Sequence, residues 1–137
     1  MTSRILVPMD DSEMAEHALE HALEMYPDAE ITVLNIVGEP SGMMGKATSL
    51  ALADDIEEAA EERASEIFDR AHEIAGDREI STDIAWGNPS KVIVNRAESF
   101  DAVVIGSHGG SLADRLFVGN VAQQVFRHSP APVTVVR

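Results

Sequence analysis

No cysteine occurs in the 137 residues of this chain, which excludes disulfide cross-links and thiolate metal sites. Aromatic residues supply only 4% of the sequence against a hydrophobic content of 45%, so the core must be built of Val, Ile, Leu, Ala and Met. Long hydrophobic runs are missing too. No segment approaches the ~20 apolar residues that a membrane-crossing helix needs, and the opening MTSRILVPMDDS lacks a secretory apolar region with a cleavage site. A soluble, cytoplasmic protein without a membrane partner is expected. Positive charge is scarce: 8 Arg and 2 Lys (Lys46 and Lys91) stand against 14 Glu and 10 Asp, for a formal net charge of −14. A polyanionic surface repels nucleic acid and anionic lipid. Little lysine beside much carboxylate fits a halophilic, salt-rich cytoplasm, where molar salt cuts the Debye length to ~3 Å and makes self-repulsion tolerable.

What the chain does have is alternation. Its length fits one domain. The apolar run Arg4 to Met9 reads as a first strand, followed by a helix with Ser12 as N-cap and a stripe of Ala15, Ala18, Leu19, Ala22 and Leu23. Ile31 to Val37 reads as the second strand, and Gly38 to Ser49 as a loop without periodicity, Met43 and Met44 included. Ile56, Ala60, Ala64, Ile67, Ala71 and Ile74 recur at helical spacing over a glutamate-rich outer face, and Gly76 stops that helix. Strands over Glu79 to Trp86, Asp101 to Ile105 and Pro132 to Val136 alternate with helices over Val92 to Glu98 (opened by Asn88-Pro89) and Val121 to Phe126. Alternation of this kind predicts an α/β fold: a doubly wound, five-stranded parallel sheet in the order 3-2-1-4-5, with helices on both faces.

In that order the winding reverses between strands 1 and 4, and ligands bind outside the carboxyl ends of the strands at the reversal. Pro8-Met9-Asp10 and Gly106-Ser-His-Gly109 fall there. Gly106, Gly109 and Gly119 form the spacing G-x2-G-x9-G between a strand and a helix start, where backbone N–H groups and the positive end of the helix dipole favour phosphate. This is neither the dinucleotide fingerprint nor the Walker A loop. Asn120 is expected as N-cap of the following helix, or with its amide on a phosphate. Asp10 is a candidate acceptor for ribose hydroxyls, or a ligand to Mg²⁺ carried with a nucleotide. Arg115, His108 and Lys46 are the basic groups placed to offset phosphate charge.

Other constellations carry less. His17 and His21 share a helix face at zinc spacing, but on the side opposite the apolar stripe and outside an HExxH frame. Trp86 reads as a packing residue. A phosphoacceptor receiver shares the sheet order and an acidic pair after strand 1, but Asp83 lies inside its strand and no Lys follows strand 5. No serine or cysteine pairs with a base, so no catalytic residue is assigned.

Val7-Pro-Met-Asp-Asp-Ser12, the segment GSHGG from Gly106 and the ending VGNVAQQVFRHSPAPVTVVR together resemble the universal stress protein family along essentially the whole chain. The resemblance implies a homodimer that binds ATP where the glycine motif is present. By position it places Pro8 and Asp10 along the adenosine, with Asp10 on the ribose, and the backbone of Val37 against adenine. Gly106 and Gly109 would then lie along the phosphates, with Gly119, Asn120 and Val121 meeting them at the helix start. Two positions depart from the family pattern: Asn120 replaces a usual Ser or Thr, and Gly110 stands where a basic residue is frequent. Val133, Thr134, Val135 and Val136 form an apolar last strand without the lysine or internal proline that protects an edge, which suits pairing across a two-fold axis. A nucleotide-dependent regulator of the stress response is the leading expectation. Slow ATP hydrolysis or adenylyl transfer, and a ligand-free interaction dimer, are the alternatives.

Overall fold

A computed structural model describes residues 2–38, 46–107 and 119–137, with side chains throughout except over 46–54. The chain order is β1 (Arg4–Pro8), α1 (Glu13–Met25), β2 (Glu30–Val37), α2 (Lys46–Ala75), β3 (Ile80–Trp86), α3 (Pro89–Ala97), β4 (Ala102–Gly106), α4 (Asn120–His128) and β5 (Val133–Val136). All the strand pairs are parallel and the sheet order is β3-β2-β1-β4-β5, as the alternation predicts. No helix among the described residues is long and apolar enough to cross a membrane.

Successive strand residues point to opposite faces, and this alternation divides the core in two. Ile5, Val7, Ile31 and Val33 pack with Leu19, Ala22, Ile67 and Ala71 under α1 and α2. Leu6, Leu34, Val103 and Ile105 pack with Ile93, Ala97, Ala122 and Val125 under α3 and α4. Side chains such as Leu6, Leu19, Ile93 and Val103 are fully buried, each worth ~1.5–3 kcal/mol in apolar surface removed from water.

The predicted start and stop signals act where the sequence puts them. Ser12 caps α1, its Oγ accepting from the Ala15 N–H at 3.2 Å. Asn88 caps α3, its Oδ1 accepting from the Lys91 N–H at 3.2 Å, with Pro89 in the first turn. Gly76 ends α2 at φ +61°, with its N–H on the His72 carbonyl at 3.0 Å. Arg78, just beyond, closes α1 from a distance. Its guanidinium donates to the carbonyls of Leu23 (3.0 Å), Tyr26 (2.6 Å) and Ala29 (3.0 Å), supplying positive charge to a helix end with no basic residue of its own in the last turn.

Three expectations need correction. The helix after β2 begins at Lys46, so the last residues of the segment read as loop are helical. Residues 39–45 of that segment, Met43 and Met44 among them, lie outside the described residues. Trp86 is 43% exposed at the end of an edge strand rather than packed inside. The cap of α4 is Gly119, and Asn120 is the first helical residue.

Candidate functional site

A crevice opens where β1 and β4 part. Their paired register runs only from Ile5–Ala102 to Leu6–Val103, whereas β1 and β2 stay in register to Pro8–Leu34. Beyond the strand end β2 holds the chain twice: the Met9 N–H donates to the Leu34 carbonyl at 2.8 Å, and the Asn35 side-chain amide donates to the Met9 carbonyl at 3.0 Å. Asp10 is thereby delivered to the mouth, exposed. Its Oδ1 accepts from the Ser12 N–H at 2.9 Å, a turn that leads into the cap of α1.

Two depressions meet at Asp10. One, of about 200 Å³, is lined by Pro8, Asp10, Asn35, Ile36, Gly106 and Val121 among others. The other, of about 340 Å³, includes Asp10, Asn35, Ile36, Val37 and Arg63. A third hollow of about 420 Å³ runs outward from Asp10 between α1 and α2 and is strongly charged. There Arg63 meets Asp11 at 3.1 Å, and Arg70 meets Glu16 at 2.6 Å and Glu73 at 3.0 Å. Hydrogen bonds to Glu16 and then Glu73 raise the pKa of Arg70 further above its ordinary value. The arginines here are already matched to carboxylates.

The glycine segment is tied at its feet. The Ser107 N–H donates to the Val136 carbonyl at 2.7 Å, and the Gly119 N–H donates back to the Ser107 carbonyl. This long-range bond fixes the first turn of α4 beside the end of β4. Gly106 has a tight packing role as well. A Cβ there would come within 2.8 Å of the Met14 carbonyl oxygen and 2.9 Å of its carbon, so only glycine lets the first turn of α1 lie against β4.

The structure thus brings Pro8, Asp10, Gly106 and Val121 to one depression, with Val37 in the adjoining one. Val121 is 38% exposed at its rim. Gly119 and Asn120 precede Val121 at the helix start, and no side chain caps that end. Gly109, His108 and Arg115 lie outside the described residues, as does the side chain of Lys46. His17 stands 3.8 Å from Glu13, and among the described residues no group of three or more His, Asp or Glu is arranged to hold a metal. One residue escaped the sequence reading: Asn35, 7% exposed. An asparagine inside the apolar strand Ile31 to Val37 was the available signal, because Asn is depleted in strands and rarely buried without a task.

The fold and the crevice define an open, doubly wound parallel α/β domain, a class in which the topological switch point is where ligands bind when they bind. Within that class the sequence model described as "Universal stress protein family" matches residues 1–137, and the chain belongs to that family. A putative universal stress protein of Staphylococcus aureus (strain USA300) is 26% identical over 138 residues, covering 97% of this chain and 82% of the relative. The structure of universal stress protein UspA from Lactobacillus plantarum superposes with a TM-score of 0.83 at 26% identity, covering 98% of this chain and 97% of that one. Two more distant structures share the fold. A universal stress protein in complex with cAMP has a TM-score of 0.68 at 23% identity, covering 98% and 97% of the two chains. A family protein from Arabidopsis thaliana with AMP bound has a TM-score of 0.63 at 16% identity, covering 98% and 90%.

Proposed function

We propose that this chain binds an adenine nucleotide, ATP with its Mg²⁺ foremost, in the crevice where β1 and β4 part, and that the bound nucleotide regulates its association with other proteins. The observation that carries this reading is the convergence of Pro8, Asp10, Gly106 and Val121 on one depression, next to a helix start held in place by the Gly119–Ser107 bond. Asp10 and the apolar wall of Ile36 suit a nucleoside. The N-terminus of α4, without a side-chain cap, suits phosphates. Relatives of the same fold crystallised with cAMP and with AMP are consistent with an adenine base. In this reading Asn120, as first helical residue rather than cap, offers its backbone N–H and its amide to the terminal phosphates.

The setting is a halophilic cytoplasm and the working unit a homodimer. The acidic surface supports the first. For the second, β5 is the sheet edge, and Val133, Thr134, Val135 and Val136 are each only half-buried, leaving an apolar edge that a second copy would cover. Calorimetric titration of ligand-stripped protein with Mg-ATP in molar KCl tests the nucleotide reading. Saturable binding near one nucleotide per chain supports it, and a flat trace from folded protein overturns it.

A further inference from the structure

We propose that Asn35 reads the sugar of the bound nucleotide, its side-chain oxygen accepting a hydrogen bond from a ribose hydroxyl beside Asp10. The inference rests on the reading of the crevice as an adenine-nucleotide site and assigns it a specificity-determining residue. The Met9 carbonyl can only accept, so the atom of Asn35 that faces it at 3.0 Å must be the amide nitrogen. Oδ1 is then directed the other way. Among the described residues nothing donates to it. No described side-chain polar atom is both sealed from solvent and without a partner, so this oxygen opens onto the hollow. Asn35 lines both depressions that meet at Asp10, although the residue as a whole is 7% exposed.

The chemistry of that corner selects its occupant. One oxygen of Asp10 is engaged by the Ser12 N–H, and the other remains an acceptor. With Asn35 Oδ1 this makes two acceptors on residues that line the same two depressions, one just past the end of β1 and the other in β2. Acceptors repel phosphate and carboxylate and attract hydroxyl donors. A vicinal diol, the 2′,3′ edge of a ribose, presents two such donors side by side. The phosphates must then extend away from this corner toward the start of α4. A buried amide anchored at one end is also pre-organised, so its oxygen needs little reordering when the ligand enters.

The test compares Mg-ATP, 2′-deoxy-ATP, 3′-deoxy-ATP and inosine triphosphate on the wild-type chain, on Asn35→Leu and on Asn35→Thr, the last a good strand former with too short a reach. Wild type should bind one of the deoxy analogues about tenfold more weakly than ATP. Both variants should bind ATP about tenfold more weakly and be indifferent to removal of that hydroxyl, the coupling expected of two partners in one hydrogen bond. Discrimination against inosine triphosphate should be the same in all three proteins. A wild type blind to both deoxy changes, or a folded variant that keeps full deoxy discrimination, overturns the assignment. Loss of discrimination against inosine triphosphate would instead place the amide on the base and overturns it as well. Wild-type protein that binds no adenine nucleotide at all sinks the nucleotide reading itself, a different result from ATP binding that ignores the ribose.

Discussion

Two kinds of helix start are found in this fold. At α1 and α3 a side chain closes the end: Ser12 and Asn88 each accept from a backbone N–H in the first turn at 3.2 Å. At α4 the cap is Gly119, which has no side chain to give, and what fixes it is a backbone bond to Ser107 at the other foot of the glycine segment. A helix leaves its first N–H groups without intrahelical partners. Where a serine or asparagine meets that need locally, the end is committed to stability. Where it is left to glycine and placed at the mouth of a crevice, the same donors stay open, which is what the proposed phosphate site requires.

Exchanging these roles should have the largest effect. Gly119→Asp gives α4 an acidic cap; since glycine is only a few tenths of a kcal/mol worse than aspartate there, thermal stability should change by less than ~0.5 kcal/mol. The carboxylate would occupy the proposed phosphate position, and affinity for Mg-ATP should fall at least ~100-fold, about 2.7 kcal/mol, by calorimetry. Unchanged affinity would erase the distinction between the helix starts. Gly106→Ala acts on the capped side. Its methyl group would meet the Met14 backbone at 2.8 Å and push the first turn of α1 off β4, a cost of ~1–3 kcal/mol in chemical denaturation, with weaker nucleotide binding as the Asp10 turn shifts. Ser12→Ala and Asn88→Ala are the mildest. Each should cost ~1 kcal/mol of stability, but only Ser12→Ala, one turn from Asp10, should also lower affinity, and by less than Gly106→Ala does.

What could be read in the sequence follows the same division. Ser12 and Asn88-Pro89 were legible because a cap is a local affair, decided by the residue and the turn after it. Gly119 was not. Asparagine outranks glycine as a cap, so local preference points to Asn120, and the long-range bond to Ser107 moves the start of α4 back by one residue. The sheet order was legible because alternating strands and helices leave few topologies open. The start of α2 was missed because Lys46 to Ala53 carries helix-forming Ala and Leu without the apolar period by which the rest of that helix was recognised. Asp10 and Gly106 were placed in the crevice by topology and Val121 by the family resemblance, yet the reason Gly106 tolerates no side chain is a contact with α1 that no local pattern encodes. Asn35 went unassigned although it is a polar residue in an apolar strand, because its partner, the Met9 carbonyl, emerges only once β1 and β2 are side by side.

Arg78 shows how widely separated parts of the chain are tied to a single fate. Its three carbonyl partners, Leu23, Tyr26 and Ala29, lie 55, 52 and 49 positions earlier in the sequence. Fraying of the last turn of α1 therefore cannot be a private event: it must break a clasp held from the turn between α2 and β3. In hydrogen exchange the amides at both ends of that clasp should open together rather than piecemeal, so that the α1–β2 connection and the end of α2 behave as one cooperative unit although more than a third of the chain is threaded between them.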